Sequence, residues 1–307
     1  MKIDAHALIV DGRNVLWRNC AANSQLGFNG PDGWQMTGGI YGFFESVMSV
    51  LWKLEDDVDI WVAWEGEGGR ERRRSVIPEY KVRKPDPNRE KMSEQVWAQE
   101  EILKEILPLT SWGQVVAPGW EADDAMGTMV AAYHRNHMNS LILSNDADLL
   151  QTIRGGTQGW VRVFKAGADE PEPIWDDNRL MSEWGVSPRQ VIDVKALAGD
   201  ASDNYSGAKG IGEVWARKII SEYGTVEKAI EYAEKNNELL GSKSKAEKVL
   251  LSADYVRLCR DVAEIRTNVK VVLTEGQPEP GELRERFKEL RFASLLDPRP
   301  FRRIVRR

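Results

Sequence analysis

Two cysteines, Cys20 and Cys259, are all that 307 residues contain. That is too few for a disulfide framework, and their spacing matches no zinc site, so the reading is of two reduced thiols. No apolar run approaches the ~18 residues of a membrane helix. Mean hydropathy is −0.46, and the run Ala5 to Val10 is too short for a signal peptide. A cytoplasmic protein is therefore expected. Histidine is also scarce. His6, His134 and His137 belong to no evident Ser/His/Asp or Cys/His set, which leaves the usual nucleophilic hydrolases without their parts. His134 and His137, at i and i+3, read as partly exposed helix residues. Positive charge is short as well, with a formal net charge of −6 and a pI near 5.4. Taken as a sum, that balance argues against a nucleic-acid partner, because phosphate binding is driven by basic charge.

The distribution of charge says something different. Arg70, Arg72, Arg73, Arg74, Lys81, Arg83, Lys84, Arg89 and Lys91 crowd one stretch, and Arg299, Arg302, Arg303, Arg306 and Arg307 fall in the last eleven residues. Standing alone, such runs read as solvated faces. Short apolar runs at His6 to Val10, Asp59 to Trp64, Gln114 to Ala117 and Ser140 to Ser144 read as buried strands. They alternate with amphipathic helices such as Ile40 to Leu54, which predicts an α/β fold with a mostly parallel sheet and flanking helices. From about Pro188 the pattern turns helical and charged, predicting a smaller helical region.

In open α/β sheets, ligands bind outside the carboxyl ends of the strands. Asp11 closes the first run, Glu65 the second, and Asp146 and Asp148 follow the fourth. In Glu121-Ala122-Asp123-Asp124, residues 121 and 124 share a helical face with Asp123 beside them, and Asp200 and Asp203 stand further along. Each acid alone reads as a cap or a turn residue. Together on one rim they would repel one another unless cations neutralise them. Oxygen-only ligands point to Mg²⁺ or Mn²⁺, and their number exceeds what one Mg²⁺ takes from a protein, so two ions are expected. Two such ions are suited to in-line displacement at phosphorus, which makes a phosphodiester the leading substrate.

The stretch KALAGDASDNYSGAKGIGEVWARKII, Lys195 to Ile220, pairs these last acids with a glycine-punctuated hairpin and a helix. Backbone amides at Gly207, Gly210 and Gly212, with Lys209, Arg217 and Lys218 adding charge, suit duplex phosphates. The preceding segment is not strand-like, which disfavours a dinucleotide fingerprint.

These residues resemble the 5′ nucleases, a family comprising bacteriophage flap endonucleases and exonucleases and the N-terminal 5′ nuclease domain of bacterial DNA polymerase I. The matching pieces run in family order: LIVDGRNVLWR with Asp11 and Arg18, TGGIYGFFESV, IPEYKVRK, PGWEADDAMGTMV, LILSNDADLLQ, the hairpin stretch, and LRFASLL. The resemblance implies a PIN-like core, a helical arch and a helix-hairpin-helix (helix-three-turn-helix) region. It places metal one near Asp11, Glu121 and Asp123, and metal two near Asp146, Asp148, Asp200 and Asp203, with Asp124 close by. Lys81 matches the family's arch lysine, so the implied catalytic set is Lys81, Asp11, Asp123 and Asp146. The arch around Arg72, Arg73, Arg74, Tyr80, Arg83 and Lys84 would receive a single-stranded 5′ end, with Tyr41 and Trp17 near the junction. The hairpin would also hold K⁺. The chain departs from the family pattern twice: Glu65 stands where Asp is usual, and Arg83 is displaced by one position from the usual Y-K-x-x-R.

The expected organisation is a nuclease core over 1–187 with a basic arch at about 66–105, a duplex-binding region over 188–275, and a C-terminal return segment and basic tail over 276–307. No polymerase domain follows, so a free-standing monomer of the phage type is expected, in a bacterial or phage-infected cell. The function implied is structure-specific 5′ nuclease action near 5′ single-strand/duplex junctions. DNA with a 5′ flap, overhang, nick or gap is the substrate, and an RNA/DNA hybrid is a further candidate. Two rival readings are a catalytically weak junction-binding protein and a D-x-D metal enzyme acting on small phosphate esters, the latter suggested by Asp146-Ala147-Asp148.

Overall fold

The computed structural model describes residues 2–30, 33–155, 159–165 and 174–306. In chain order its strands are β1 (Ala7–Asp11), β2 (Gly27–Gly30), β3 (Gly33–Met36), β4 (Asp59–Trp64), β5 (Gly113–Val116), β6 (Ser140–Leu143), β7 (Val161–Phe164), β8 (Ile174–Trp175) and β9 (Val272–Thr274). Seven of them form one sheet in the order β8-β7-β6-β1-β4-β5-β9, and β2 and β3 form a separate hairpin. The five inner strands are parallel, and the edge strands β8 and β9 are antiparallel to their neighbours. All five residues of β1 are buried, as expected of a central strand covered on both faces.

Side chains alternate across the sheet. Leu8, Val10, Val62, Trp64, Leu141 and Leu143 face one core, shared with the helices Gly12–Ala22 and Gly38–Leu51 and with Leu283, Phe287, Phe292 and Phe301 of the C-terminal segment. Ala7, Ile9, Ala63, Val115 and Ile142 face the other, packed on the helix Ala122–Arg135. A third core, including Ile192, Leu197, Ile219, Ile230, Val249 and Val256, knits the helices between Val191 and Ala263, and Ile77 and Tyr80 join it.

The expected strands lie within a residue of those observed, and the expected helix Ile40 to Leu54 runs Gly38–Leu51. β9 is the main surprise. The chain rejoins the sheet at Val272, and all three residues of β9 are exposed, so periodicity gave no sign of a strand there. Between β4 and β5 come the short helix Glu71–Val76, a basic loop, and the twenty-residue helix Pro87–Ile106. Arg13 clamps the long helix to the core through two hydrogen bonds to Glu100, at 2.7 and 2.9 Å. Among the described residues no helix is long and apolar enough to cross a membrane.

Candidate active site

The carboxyl ends of the parallel strands deliver the acids. Asp11, last in β1, caps the following helix by accepting from the Asn14 amide at 3.1 Å, and its other oxygen accepts from the Ser144 hydroxyl at 2.7 Å. The Asp146 amide donates to the same Ser144 oxygen at 3.1 Å, and the Asp148 amide donates to Asp146 Oδ1 at 2.8 Å. Glu121 and Asp124 form a capping box at the start of the helix Ala122–Arg135, which places Asp123 in its first turn. Burial, reinforced by the Asp146 charge, raises Asp11 to about 6 and Asp148 to about 7. The same two causes hold Asp123 well above the usual carboxylate range. Like charges have been gathered where water cannot screen them.

Basic side chains answer part of this charge. Lys81 Nζ lies 2.7 Å from Glu121 Oε1 and 3.8 Å from Asp203 Oδ1. Its backbone is left-handed at φ 52°, a strained conformation for a non-glycine, and is held by its amide donating to the Asp203 carbonyl at 2.9 Å. Lys195 Nζ bridges Asp148 at 2.7 Å and Asp200 at 2.6 Å. Burial opposes the charge of Glu121, but Lys81 and Arg73 outweigh it and its pKa is lowered. Burial likewise opposes the charge of Asp200, and Lys195 with the Ser202 hydrogen bonds lowers that pKa. Burial raises Asp203, against the pull of Lys81.

Among the described residues no group of three or more His, Cys, Asp or Glu side chains has the geometry to hold a metal ion as it stands. The expected two-metal ligand set is therefore not preassembled, because lysine and arginine stand between its members. The donors nonetheless fit a hard cation. All are carboxylates, four of them (Asp11, Asp123, Asp148 and Asp203) have raised pKa values, and the buried Asp148 Oδ1 has Lys195 nearby but no aligned hydrogen-bond partner.

A cleft of about 550 Å³ is lined by Asp11, Glu65, Glu121, Asp123 and Asp146 together with Arg18, Arg70, Lys81, Arg83, Lys84 and Arg89. Trp17 also lines it, and Arg83 and Lys84 are both exposed there. Glu65 enters the cleft but is paired with Arg70 at 2.8 Å. Asp200 and Asp203 lie beyond Lys81, and Asp200 lines a neighbouring hollow with Lys195.

Other expected site residues are placed elsewhere. Asp124 is fully buried, and both its oxygens are taken by Arg73, at 2.6 and 2.9 Å, and by the Arg266 and Glu121 amides. That corrects its reading as a metal ligand. Arg73, 3% exposed, is a buried strut that also reaches Glu121 and two backbone carbonyls, and so is not a DNA contact. Tyr80, 2% exposed, shares its hydroxyl proton between Glu121 at 2.8 Å and Asp203 at 3.0 Å, which likewise removes it from the DNA face. Arg72 pairs with Asp261 over Trp120, and Arg74 donates to the Tyr80 carbonyl. Tyr41 faces Ser294 and Phe292 instead of the cleft.

In the hairpin, Gly207 has φ 61°, and a Cβ there would lie 2.4 Å from the Gly199 nitrogen, so this glycine is structural. Gly212, the residue before the helix Glu213–Tyr223, has nothing within 4 Å of a built Cβ and φ −84°. The fold itself makes no demand for glycine there. Lys209, Gly210 and Lys218 are exposed, whereas the Arg217 guanidinium rests 3.8 Å over Trp184 and pairs with Glu213.

Two contributors escaped sequence reasoning. Lys195 stands five residues before Asp200, and only the break at Gly199, with φ 77°, turns the two together. Trp97, 56% exposed on the wall of the cleft, was legible only as one tryptophan among twelve.

Comparison with known proteins bears on this geometry. A family model described as 5′-3′ exonuclease, N-terminal resolvase-like domain, matches residues 6–185, and one described as 5′-3′ exonuclease, C-terminal SAM fold, matches residues 186–284. The chain is 30% identical over 293 residues to DNA polymerase I of Caldicellulosiruptor bescii, covering 94% of this chain and 33% of that protein. It thus spans about a third of the length of the polymerases it matches. It is 28% identical over 268 residues to a 5′-3′ exonuclease of Bacillus subtilis, covering 87% and 85% of the two chains. The fold is that of T5 5′-exonuclease with divalent metal ions (zinc) bound, at TM-score 0.66 and 19% identity over 86% of this chain and 90% of that one. It is also that of the catalytic core of Rad2 in complex with DNA substrate, at TM-score 0.56 and 16% identity over 96% and 92%.

Proposed function

The chain belongs to the 5′-3′ exonuclease family, and from that premise we propose that it is a metal-dependent, structure-specific 5′ nuclease cutting DNA near 5′ single-strand/duplex junctions. The observation that carries the reading is one cleft lined both by Asp11, Glu121, Asp123 and Asp146 and by Arg18, Lys81, Arg83 and Lys84. Acids alone would suit many metal enzymes. Acids and basic groups lining one cleft suit an anionic chain lying across a metal site.

Asp11, Glu121, Asp123, Asp146, Asp148, Asp200 and Asp203 are the residues proposed to hold two divalent ions, Mg²⁺ or Mn²⁺, with Glu65 as an outer member. Bound there, such ions polarise a phosphoryl oxygen and acidify water. The chain's own groups do the rest. Lys81 and Lys195 release Glu121, Asp148 and Asp200 as the site loads, and Lys81 is thereby freed to neutralise charge on the reacting phosphate. Arg18, Arg83 and Lys84 neutralise neighbouring phosphates. Lys209, Lys218 and the amides beside Gly210 and Gly212 hold the duplex, with K⁺ proposed on the hairpin carbonyls. The proposed organisation keeps a nuclease core, an arch and a duplex-binding helical region, joined by a C-terminal segment that returns to the core.

The test is single-turnover cleavage of 5′-labelled and 3′-labelled flap DNA with Mg²⁺. The expected result is cutting within a few nucleotides of the junction, leaving 5′-phosphate ends, and none in EDTA. Tight binding without cleavage would make the chain a junction-binding protein. Hydrolysis of a nucleotide with intact DNA would make it a small phosphate ester enzyme.

A further inference from the structure

The arginine run near the C-terminus, which the nuclease reading does not use, folds into a recess of its own. The helix Pro298–Val305 buries Phe301 and Ile304 in the core. That seam directs Arg299, Arg302, Arg303 and Arg306 toward Trp52, at the end of the helix Gly38–Leu51, and with Asp56 they line about 350 Å³. Arg307 lies outside the described residues. Asp56 comes just before β4, at the amino ends of the parallel strands. The recess is thus at the opposite end of the sheet from Asp11.

Its charges are unequally matched. Arg303 is a structural tie, paired with Asp56 and donating to the carbonyls of Leu51, Leu54 and Glu55. Asp56 is already shared with Lys2 at 3.1 Å and Arg306 at 3.6 Å. Arg299 and Arg302 are exposed and have no ion-pair partner among the described residues. Beside them Trp52 is 51% exposed, an apolar face in a cationic surround.

We propose that this recess binds a short acidic segment of another protein, with carboxylates on Arg299, Arg302 and Arg306 and an aromatic or aliphatic side chain against Trp52. Guanidinium groups grip carboxylates with two parallel hydrogen bonds and also pack on aromatic faces. From Arg299 to Val305 the helix rises about 9 Å, the span of about three extended residues, and Arg306 continues just past its end. A nucleic-acid strand fits less well. Asp57, Asp59 and Glu275 line the adjoining hollow and would repel a backbone that keeps its charge at every nucleotide, whereas an acidic peptide can end where the arginines do. The proposal stands apart from the nuclease reading.

Fluorescence anisotropy on the full chain tests it, using a labelled peptide Glu-Asp-Phe-Glu-Asp, its neutral counterpart Gln-Asn-Phe-Gln-Asn, and a labelled oligothymidylate. Arg299→Glu, Arg302→Glu and Arg306→Glu combined should weaken acidic-peptide binding about tenfold or more. Arg303 is left in place to keep the helix fastened, and an unchanged melting temperature establishes that the variant is folded. Trp52→Ser should also weaken the peptide while leaving flap cleavage unchanged. Equal binding of acidic and neutral peptides, or an acidic peptide indifferent to the triple change, would overturn the proposal. Loss of oligothymidylate binding in the triple variant with peptide binding intact would make the recess a nucleic-acid contact instead.

Discussion

Replacing Asp148 by asparagine should stabilise the metal-free protein while abolishing cleavage. Burial and the Asp146 charge raise Asp148 from 3.8 to about 7. At about 1.4 kcal/mol per pKa unit, keeping it ionised in the fold costs up to about 4 kcal/mol. Asparagine removes that cost but also removes one partner of Lys195, which keeps Asp200 at 2.6 Å. A net gain of about 1–2 kcal/mol is expected, and in a chain of this length that raises Tm by about 2–3 °C. The dependence on pH fixes the cause. Between 3.8 and about 7 the unfolded chain has released this proton and the folded chain has kept it, so wild-type stability falls as pH rises through that interval. The asparagine variant escapes the fall. Its advantage should therefore be small near pH 4.5, grow toward pH 7 and level off above.

Calorimetry of wild type and Asp148→Asn in EDTA across that range makes the measurement. A variant that melts lower than wild type at about pH 8, or by a difference constant with pH, would refute the argument. Excess Mg²⁺ should reverse the order, because an ion that binds only the native wild-type site stabilises it by mass action.

Four further outcomes are expected. Lys81→Ala should lower the single-turnover cleavage rate far more than junction affinity, since its ammonium acts chiefly on the transition state; a change in Kd alone would remove it from the reacting phosphate. Arg73→Met should cost about 3–5 kcal/mol in denaturant unfolding by stranding Asp124 and Glu121 as buried charges, whereas a DNA-contacting arginine would leave stability unchanged and flatten the salt dependence of binding. Lys209→Ala should flatten that salt dependence by about one unit of slope, and Arg217→Ala, already spent on Trp184 and Glu213, should flatten it less. Glu65→Gln should raise the Mg²⁺ needed for half-maximal cleavage, with a maximal rate reduced ~10–100-fold as for an outer ligand; superimposable titrations would remove Glu65 from the site.

Much of the fold was legible because β1 and β6 are short runs buried on both faces and β4 is buried over most of its length, and such strands carry their signal in composition. The acid rim followed from their ends, since a strand's carboxyl end in a parallel sheet is a fixed address. β9 was illegible because it is an exposed edge whose partner, β5, lies more than 150 residues earlier. The fate of the basic stretch was illegible for a related reason. Arg72, Arg73 and Arg74 are adjacent in sequence, yet one meets Asp261, the next Asp124 and Glu121, and the third the Tyr80 carbonyl. Consecutive helical residues point about 100° apart, so a run of like residues cannot share one role.

The kind of cation beside each acid then separates structure from function. Asp124 is held by Arg73 through two parallel bonds from a guanidinium only 3% exposed, a fork that gives up its partner only if the helix Glu71–Val76 lifts away. Glu121, Asp148 and Asp200 are instead met by lysine ammonium groups on long stems. These are compact charges that can swing aside and be replaced by a better-coordinated ion. Glu121 takes both kinds, one oxygen facing Arg73 and the other Lys81, and so stands at the boundary between strut and site. Asp11, Asp123 and Asp146 have no ion pair among the described residues, and the first two carry the raised pKa values that follow. An arriving cation gains most at these unanswered acids and displaces nothing there. On the proposed two-ion reading the expected order of loading is that the Asp11, Asp123 and Asp146 side would fill first, and the Asp148, Asp200 and Asp203 side only as Lys195 withdraws. Lys195→Met should therefore strengthen the weaker of two Mg²⁺ binding events in calorimetric titration and leave the stronger one in place, and an equal effect on both would show that the two sides do not load in that order.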